Sequence, residues 1–347
     1  MQLWNKLNKE ELEEQLRDIG HEFVTISFYQ YAKIANPHLF RDHLFIIWSN
    51  LDVVGRTYIA SEGINAQIAV PTKNISQFRE ELYQIEFLNG IRLNFAVDES
   101  EAEFPFLKLK IKVRDKILAD GLNDETFDVT KKGKHLNAEE FNTLTNDPQT
   151  LLIDFRNHYE SEVGYFEGAI LPDVDTFRDS LPKIEKEILK GNEHKNIVMY
   201  CTGGIRCEKA SAWFKHRGFP NVHQLEGGII KYARDVKEQG IKNKFKGKNF
   251  VFDERRGERI TEEIVSVCHL CGTPADTHTN CANSACHLLF IQCDTCKEKL
   301  DNCCSSKCKE IYNLPLEEQK ALRKGIDNSN KIFKKGRADH LTYKNKC

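Results

Sequence analysis

The stretch Ile197-Val-Met-Tyr-Cys201-Thr-Gly-Gly-Ile-Arg206-Cys207-Glu-Lys-Ala-Ser-Ala-Trp-Phe214 decides how the rest of the chain is read. Ile197 to Tyr200 is a short apolar run of the kind that forms a buried strand. Glu208 to Phe214 switches to helix formers. Between them Cys201 opens a loop that runs through Thr202, Gly203, Gly204 and Ile205 to Arg206. Its two glycines permit unusual dihedrals and close backbone approach. A loop feeding a helix N-terminus turns unpaired N–H groups inward and favours negative charge there. A cysteine in that field should ionise more readily than a free thiol. Strand, cysteine, paired glycine, arginine and helix together exceed what packing a small residue requires. Cys201 is therefore the candidate nucleophile.

On either side of this stretch, from residue 137 to 240, strand-like and helix-like segments alternate, as in a parallel sheet covered by helices on both faces. Leu151-Leu-Ile-Asp154-Phe-Arg156 reads as a buried strand ending in charge, and Val174 to Leu189 as a helix. Cys207 to Gly218 is the next helix, Val222 to Leu225 a short strand, and Gly227-Gly228 opens a last helix. Ligands on open α/β sheets gather at the carboxyl ends of strands, where both Cys201 and Asp154-Phe-Arg156 lie. Arg206 either binds a substrate anion or braces the loop against a carboxylate, and Asp154 and Arg156 are candidates for that brace. Cys207 reads as a buried helix-start residue rather than a resolving thiol.

Residues 1–118 form a separate α+β unit. Phe23 to Tyr29 alternates, with Val24, Ile26 and Phe28 on one face. Asn36-Pro37 is a helix start, Asn as cap and Pro at the first helical position. Leu39, Phe40, His43, Leu44, Ile47, Trp48 and Leu51 follow at helical spacing. Arg56–Ala60 and Ile64–Val70 form a hairpin around Ser61-Glu62-Gly63, a second helix covers about Asn74 to Leu88, and Ile91–Val97 and Leu107–Val113 are strand-like. The order β-α-β-β-α-β is the ferredoxin-like pattern. Residues 119–136 read as a linker.

Twelve cysteines are distributed unevenly, nine of them between Cys268 and Cys308. In a reducing compartment such clustering favours metal over disulfides. Cys268-x-x-Cys271 and Cys293-x-x-Cys296 are paired knuckles suited to a tetrahedral ion. Cys281 and Cys286 form a looser pair, and Cys308 with Cys304, preferred over its neighbour Cys303, completes eight thiolates. Eight suffice for two structural zinc ions, with sequential or crossed pairing left open; an iron–sulfur cluster would use the same ligands. His269, His278 and His287 could substitute as ligands, but a surface histidine is the preferred reading for each. This zinc module spans 268–310, between a basic connecting segment, 241–267, and a basic tail, 311–347.

The net charge of -2 decides nothing about nucleic acid, so local charge must. Lys242, Lys244, Lys246 and Lys248 alternate along the connecting segment with Phe245, Phe250 and Phe252 interleaved, and Arg255, Arg256 and Arg259 follow. The tail adds Lys331, Lys334, Lys335, Arg337, Lys344 and Lys346. These are the candidate RNA contacts: cations for phosphates, rings for unpaired bases. The N-terminus lacks the apolar core of a signal peptide, and no apolar run approaches the length of a membrane span. A cytoplasmic protein with no membrane partner is the expectation.

The central unit resembles the rhodanese family: Asp154-Phe-Arg156, then Tyr165-Phe-Glu-Gly168-Ala-Ile, then Cys201 to Arg206, then Leu225-Glu-Gly-Gly228. The resemblance implies a six-residue catalytic loop, one residue short of the related phosphatases, whose tetrahedral phosphate needs a larger ring of donors. The Gly-His that many rhodaneses carry is replaced here by Tyr165-Phe166-Glu167. The complete layout is similar to the tRNA uridine hydroxylases: Gly55-Arg-Thr-Tyr-Ile-Ala-Ser-Glu-Gly-Ile-Asn65, the Cys201 loop continuing into Cys207-Glu-Lys209, Asn249-Phe-Val-Phe-Asp-Glu-Arg255 and a cysteine-rich tail. What that resemblance implies is oxygen-dependent conversion of the tRNA wobble uridine to 5-hydroxyuridine at Cys201, with O2 as co-substrate and an unidentified electron donor. No flavin, haem, nucleotide or two-His-one-carboxylate iron motif is recognisable. Two other readings compete: a sulfurtransferase carrying a persulfide on Cys201, and a non-enzymatic redox sensor.

Overall fold

Why the N-terminal segments fold as they do is visible in how Phe23–Tyr31 divides its side chains. Ile26 and Phe28 are buried against the helices Pro37–Asn50 and Ile75–Tyr83, in a core that includes Leu44, Trp48, Phe78 and Leu82. Asn36 caps the first of these helices, its side chain accepting from the Leu39 N–H at 3.0 Å, and Pro37 occupies the first turn. Leu39, grouped by spacing with the core residues, instead points outward at 67% exposure. The strands run in the spatial order Asn94–Phe95, Phe23–Tyr31, Gly63–Pro71, Val54–Ala60, with Leu109–Val113 added in parallel at the edge. That is the ferredoxin-like arrangement with one extra strand. Gly63 closes the hairpin at a φ of +146°, where a Cβ would lie 2.1 Å from the Gln30 carbonyl oxygen, so no other residue fits. In this computed structural model residues 9–19, 22–97, 104–325 and 335–343 are described.

The central sheet is parallel, in the order Lys134–Leu136, Val222–Leu225, Asn196–Tyr200, Thr150–Asp154. Its middle strand explains the unbroken apolar run. Ile197 and Met199 pack with Leu181 and Phe214 on one face, Val198 and Tyr200 with Phe141, Ile229 and Tyr232 on the other. A strand buried on both faces has no polar alternation to show. The linker expected over 119–136 is corrected at both ends: Asp120 is buried in an ion pair, and Lys134–Leu136 is the sheet's edge strand. The helix expected over Val174–Leu189 begins only at Phe177 and gives way to a π turn, Glu185–Leu189. Pro182 lies inside it and removes a donor from its ladder.

Phe245–Asn249, expected as a connecting segment, pairs antiparallel with Gly164–Phe166 and with Glu258–Arg259, so it belongs to the body of the central domain. Beyond it lie a small hairpin, His278–Asn280 with Leu289–Ile291, and the helices Asp294–Leu300, Ser306–Tyr312 and Leu316–Arg323. Among the described residues no helix is long and apolar enough to cross a membrane.

Candidate active site

Cys201 stands at the carboxyl end of Asn196–Tyr200, and the helix Ile205–His216 starts four residues later. The loop is held from behind by the helix Gly228–Gln239: the Ile229 N–H donates to the Cys201 carbonyl at 3.0 Å and the Ile230 N–H to that of Thr202 at 3.2 Å. Gly228 makes this approach possible, since a Cβ there would sit 2.5 Å from the Cys201 carbonyl oxygen. The Gly204 N–H donates to the Cys201 sulfur at 3.2 Å. Burial by itself raises a thiol's pKa. Here the Cys207 thiol, the Arg206 charge and the N–H groups of Cys207 and Gly204 outweigh it and bring Cys201 from 9.0 down to about 6. Cys207 is fully buried, and its own thiol is pushed well up, chiefly by burial.

Arg206 meets a carboxylate, and it is one the sequence reading missed. Its guanidinium forks onto Glu160 at 2.6 and 2.8 Å and also donates to the Thr202 hydroxyl at 3.2 Å. Glu160 has no exposed surface, and burial, which would raise its carboxyl, is overcome by the Arg206 charge. Asp154 and Arg156, the expected brace, pair with each other instead at 2.6 Å. Arg156 then donates to the carbonyls of Glu160 and Gly164 at 3.4 and 2.6 Å, which fixes the segment bearing Glu160. Arg206 is thus paired with Glu160, the carboxylate brace, and its charge helps to lower the Cys201 thiol. A signal for Glu160 exists in Asn157-x-x-Glu160, a capping-box spacing just past the strand end, where the Asn157 N–H donates to the Glu160 carboxylate at 3.0 Å.

Cys201 is only 1% exposed, yet its loop forms one wall of a cleft of about 380 Å³. The opposite wall is the open part of the N-terminal sheet face turned away from helices Pro37–Asn50 and Ile75–Tyr83, with Ser27, Tyr29, Tyr58 and Gln67; Phe252 and the buried Glu258 also line it. Burial pushes the Glu258 carboxyl up to about 7 against the lowering effect of Arg255. The two domains are fastened beside the cleft. Lys209, 1% exposed on the helix Ile205–His216, pairs with Glu62 of the hairpin turn at 2.9 Å and with Asp120 at 2.6 Å. Glu208 pairs with Lys132 and His135, and Arg92 with Glu226.

The eight candidate cysteines gather in two crossed sets: Cys268, Cys271, Cys293 and Cys296, then Cys281, Cys286, Cys304 and Cys308. Within a set all sulfurs lie inside 4.8 Å, with closest pairs at 3.6 Å for Cys271–Cys293 and Cys286–Cys304. Four sulfurs placed about 2.3 Å from a shared centre stand about 3.8 Å apart, so each set fits a tetrahedral ion. Cys303 is buried outside both sets, and none of the three candidate histidines joins them. His269 and His278, expected at the surface, are buried; His269 meets Glu162 at 2.9 Å and ties the module to the central domain.

The expected RNA contacts are mostly consumed inside the protein. Lys248 is 6% exposed and faces Asp276; Arg255, as buried, is forked onto Asp253 and Glu258. Lys244 donates to the Asn142 carbonyl, Thr145 and Asn146, Lys246 pairs with Glu167, and Arg259 with Asp276. Lys242 is exposed, and Arg256 lies 3.9 Å from Glu254. Lys335 caps the Tyr159 ring and Arg337 pairs with Asp173, whereas Lys331, Lys334, Lys344 and Lys346 lie outside the described residues. Phe245 and Phe250 are core residues, and of the interleaved rings Phe252 alone is exposed.

Three family models match the chain in order. Residues 23–117 match the UPF0176 acylphosphatase like domain, 137–235 the rhodanese-like domain, and 246–309 the rhodanase C-terminal model. A tRNA uridine(34) hydroxylase of Enterobacter sp. (strain 638) is 53% identical over 336 residues, 96% of this chain and 95% of that one. The protein of that name from Leptospira interrogans is 50% identical, over 96% of this chain and 90% of its own. Among solved structures, the rhodanese-like domain of an Anabaena sp. protein aligns at 17% identity and a TM-score of 0.27, covering 33% of this chain and 78% of its own. Identity at this level along nearly the full length of both relatives means that the chain belongs to the tRNA uridine(34) hydroxylase family.

Proposed function

We propose that this protein is the enzyme that hydroxylates C5 of the wobble uridine of tRNA, with Cys201 as its nucleophile. The observation that supports it most is a thiol lowered to about 6 that lines a cleft large enough for a pyrimidine. The Cys201 thiolate adds to C6 of a uracil turned out of its stack, and the electron pair moves to C5 as an enolate. C5 then reacts with O2. One oxygen atom stays as the hydroxyl, and the other leaves as water on reduction by an external two-electron donor. Loss of the C5 proton and departure of the thiolate restore the ring. Glu160 keeps Arg206 in place, and Arg206 with the two loop N–H groups keeps the sulfur anionic between turnovers.

The cysteine module has a different task in this reading. Closed sets of four thiolates suit structural zinc, one ion per set, and would fix the fold of residues 268–310 without taking part in the oxygen step.

Nucleoside analysis of tRNA from cells lacking the protein, complemented by wild type and by Cys201→Ser, tests the function. Wobble 5-hydroxyuridine should vanish and return only with the wild type. Loss of a sulfur-bearing nucleoside would point to sulfur transfer, and an unchanged profile to the sensor reading. A tRNA carrying 5-fluorouridine at position 34 should trap a covalent adduct on Cys201.

A further inference from the structure

The helices Pro37–Asn50 and Ile75–Tyr83 cover one face of the ferredoxin-like sheet. On the other the helix Lys9–Ile19 packs Leu16 with Val54, Ala69 and Phe106, and the bare remainder of that face carries an ordered sequence of side chains. Cross-strand partners on one face are direct neighbours, so the register defines rows. One row runs Lys110, Arg56, Gln67, Ser27, Asn94 across all five strands. The next runs Lys112, Tyr58, Asn65, Tyr29. Both start in cations at the exposed edge and finish at the catalytic loop. Asn94 donates from its amide to the Gly203 carbonyl at 3.4 Å, and the Tyr29 hydroxyl stands where a Cβ on Gly204 would come within 2.9 Å. Four steps between strands at about 4.8 Å each make a path about 19 Å long.

The cationic start of the path is concentrated. Lys108, Lys110, Lys112 and Arg114 alternate along one strand and face the same way, with Arg56 beside Lys110. Lys110, Lys112 and Arg114 are exposed. Among the described residues no carboxylate pairs with any of the five, in contrast to the basic residues of 244–259. Arg56, Lys108 and Lys110 also line a groove of about 420 Å³ that continues to Arg256 and shares Arg56 and Phe252 with the catalytic cleft. Mutual repulsion shows in Lys110, whose ammonium is lowered first by desolvation and then by Lys108, Arg56 and Lys112. Like charges held this close, with no carboxylate of the described residues paired to them, are placed for an external polyanion.

We infer that the bare face of the N-terminal sheet is the RNA track: Lys108, Lys110, Lys112, Arg114 and Arg56 hold the phosphates flanking the reactive nucleotide, and the rows through Gln67 and Asn65 lead its base to Cys201. Tyr58 offers a ring midway, with Arg114 5.8 Å from its centre. Amide side chains and a tyrosine ring suit an unstacked base, and cations suit its backbone. The inference rests on the proposed tRNA reaction but makes a separate claim, about where the RNA lies.

The test is binding of full-length Cys201→Ser protein to wobble-uridine tRNA over a salt series. Lys110→Gln/Lys112→Gln should weaken binding by at least about tenfold and flatten the slope of log K against log salt by about 1.4 to 1.8. Lys108→Gln/Arg114→Gln should do the same and serves if the first pair fails to fold. Lys186→Gln/Lys190→Gln, exposed and lining neither the groove nor the cleft, should change neither quantity. Unchanged affinity and slope in folded track variants would overturn the inference, even where 5-hydroxyuridine depends on the protein. Weakened binding by those variants with tRNA nucleosides independent of the protein would keep the track and overturn the reaction instead.

Discussion

Cys201 and the cysteines of the C-terminal module carry the same side chain and are supported in opposite ways. At Cys201 a single sulfur is surrounded by fixed peptide donors and a braced arginine, so the protein itself stabilises the anion. In each set of the module four sulfurs lie within 4.8 Å of one another, and a bound ion would offset their mutual repulsion. A lone thiolate with donors is a reagent. A quartet of sulfurs is a candidate ligand set, even where a peptide donor reaches it as the Cys304 N–H reaches Cys281 at 3.4 Å. The difference lies in what surrounds the sulfur, and each part of it can be broken separately.

Metal removal should have the largest effect. A chelator strong enough to strip both sets should cost on the order of 10 kcal/mol per ion and unfold residues 268–310, while Cys201 keeps its reactivity; metal analysis and circular dichroism check this. Cys201→Ser should reverse the pattern, with tRNA hydroxylation reduced at least about a thousandfold in a kinetic assay and two metal ions retained. Glu160→Gln would leave Arg206 buried without its counter-charge. It should destabilise by about 3–5 kcal/mol in denaturant unfolding. The uncompensated guanidinium should also lower the Cys201 thiol below its present value.

That value sets the fourth prediction. With Cys201 at about 6, its alkylation rate should climb tenfold per pH unit below pH 6 and level off above it. An ordinary cysteine would keep accelerating to about pH 9. The sign for stability follows: between the two values the unfolded chain holds the extra proton, so this group stabilises the fold more as pH rises. Cys303→Ala should show the smallest effect, about 1 kcal/mol in a thermal melt with both ions bound, whereas Cys304→Ala should lose one ion.

The basic stretches make a second contrast. Lys244, Lys246 and Lys248 stand out in the sequence because they alternate with aromatics, yet their charges are spent on Asn146, Glu167 and Asp276. Lys108, Lys110 and Lys112 lie in an equally alternating strand, and nothing in the primary structure marks them as unpaired. The capping-box spacing marks Glu160 locally, but its partnership with Arg206 was illegible for the same reason: the two meet from 46 positions apart. Crossed pairing of the cysteines was likewise undecided by their order: it closes longer loops (271–293 and 286–304) than sequential pairing (271–281 and 296–304), but a doubling of loop length costs only about 0.6 kcal/mol.

By itself the sequence determined whatever depends on neighbours along the chain: the two-faced strand before Cys201, the glycines that let the loop turn, the Asn36-Pro37 helix start, and cysteine pairs spaced for one ion. Only the tertiary structure decided which charges neutralise each other, which sulfurs share a centre, and that a bare sheet face stands opposite Cys201. Backbone geometry and ligand spacing are local properties, fixed within a few residues. Electrostatic partnership depends on which distant groups are brought into the same poorly hydrated space, and that is settled only when the domains pack.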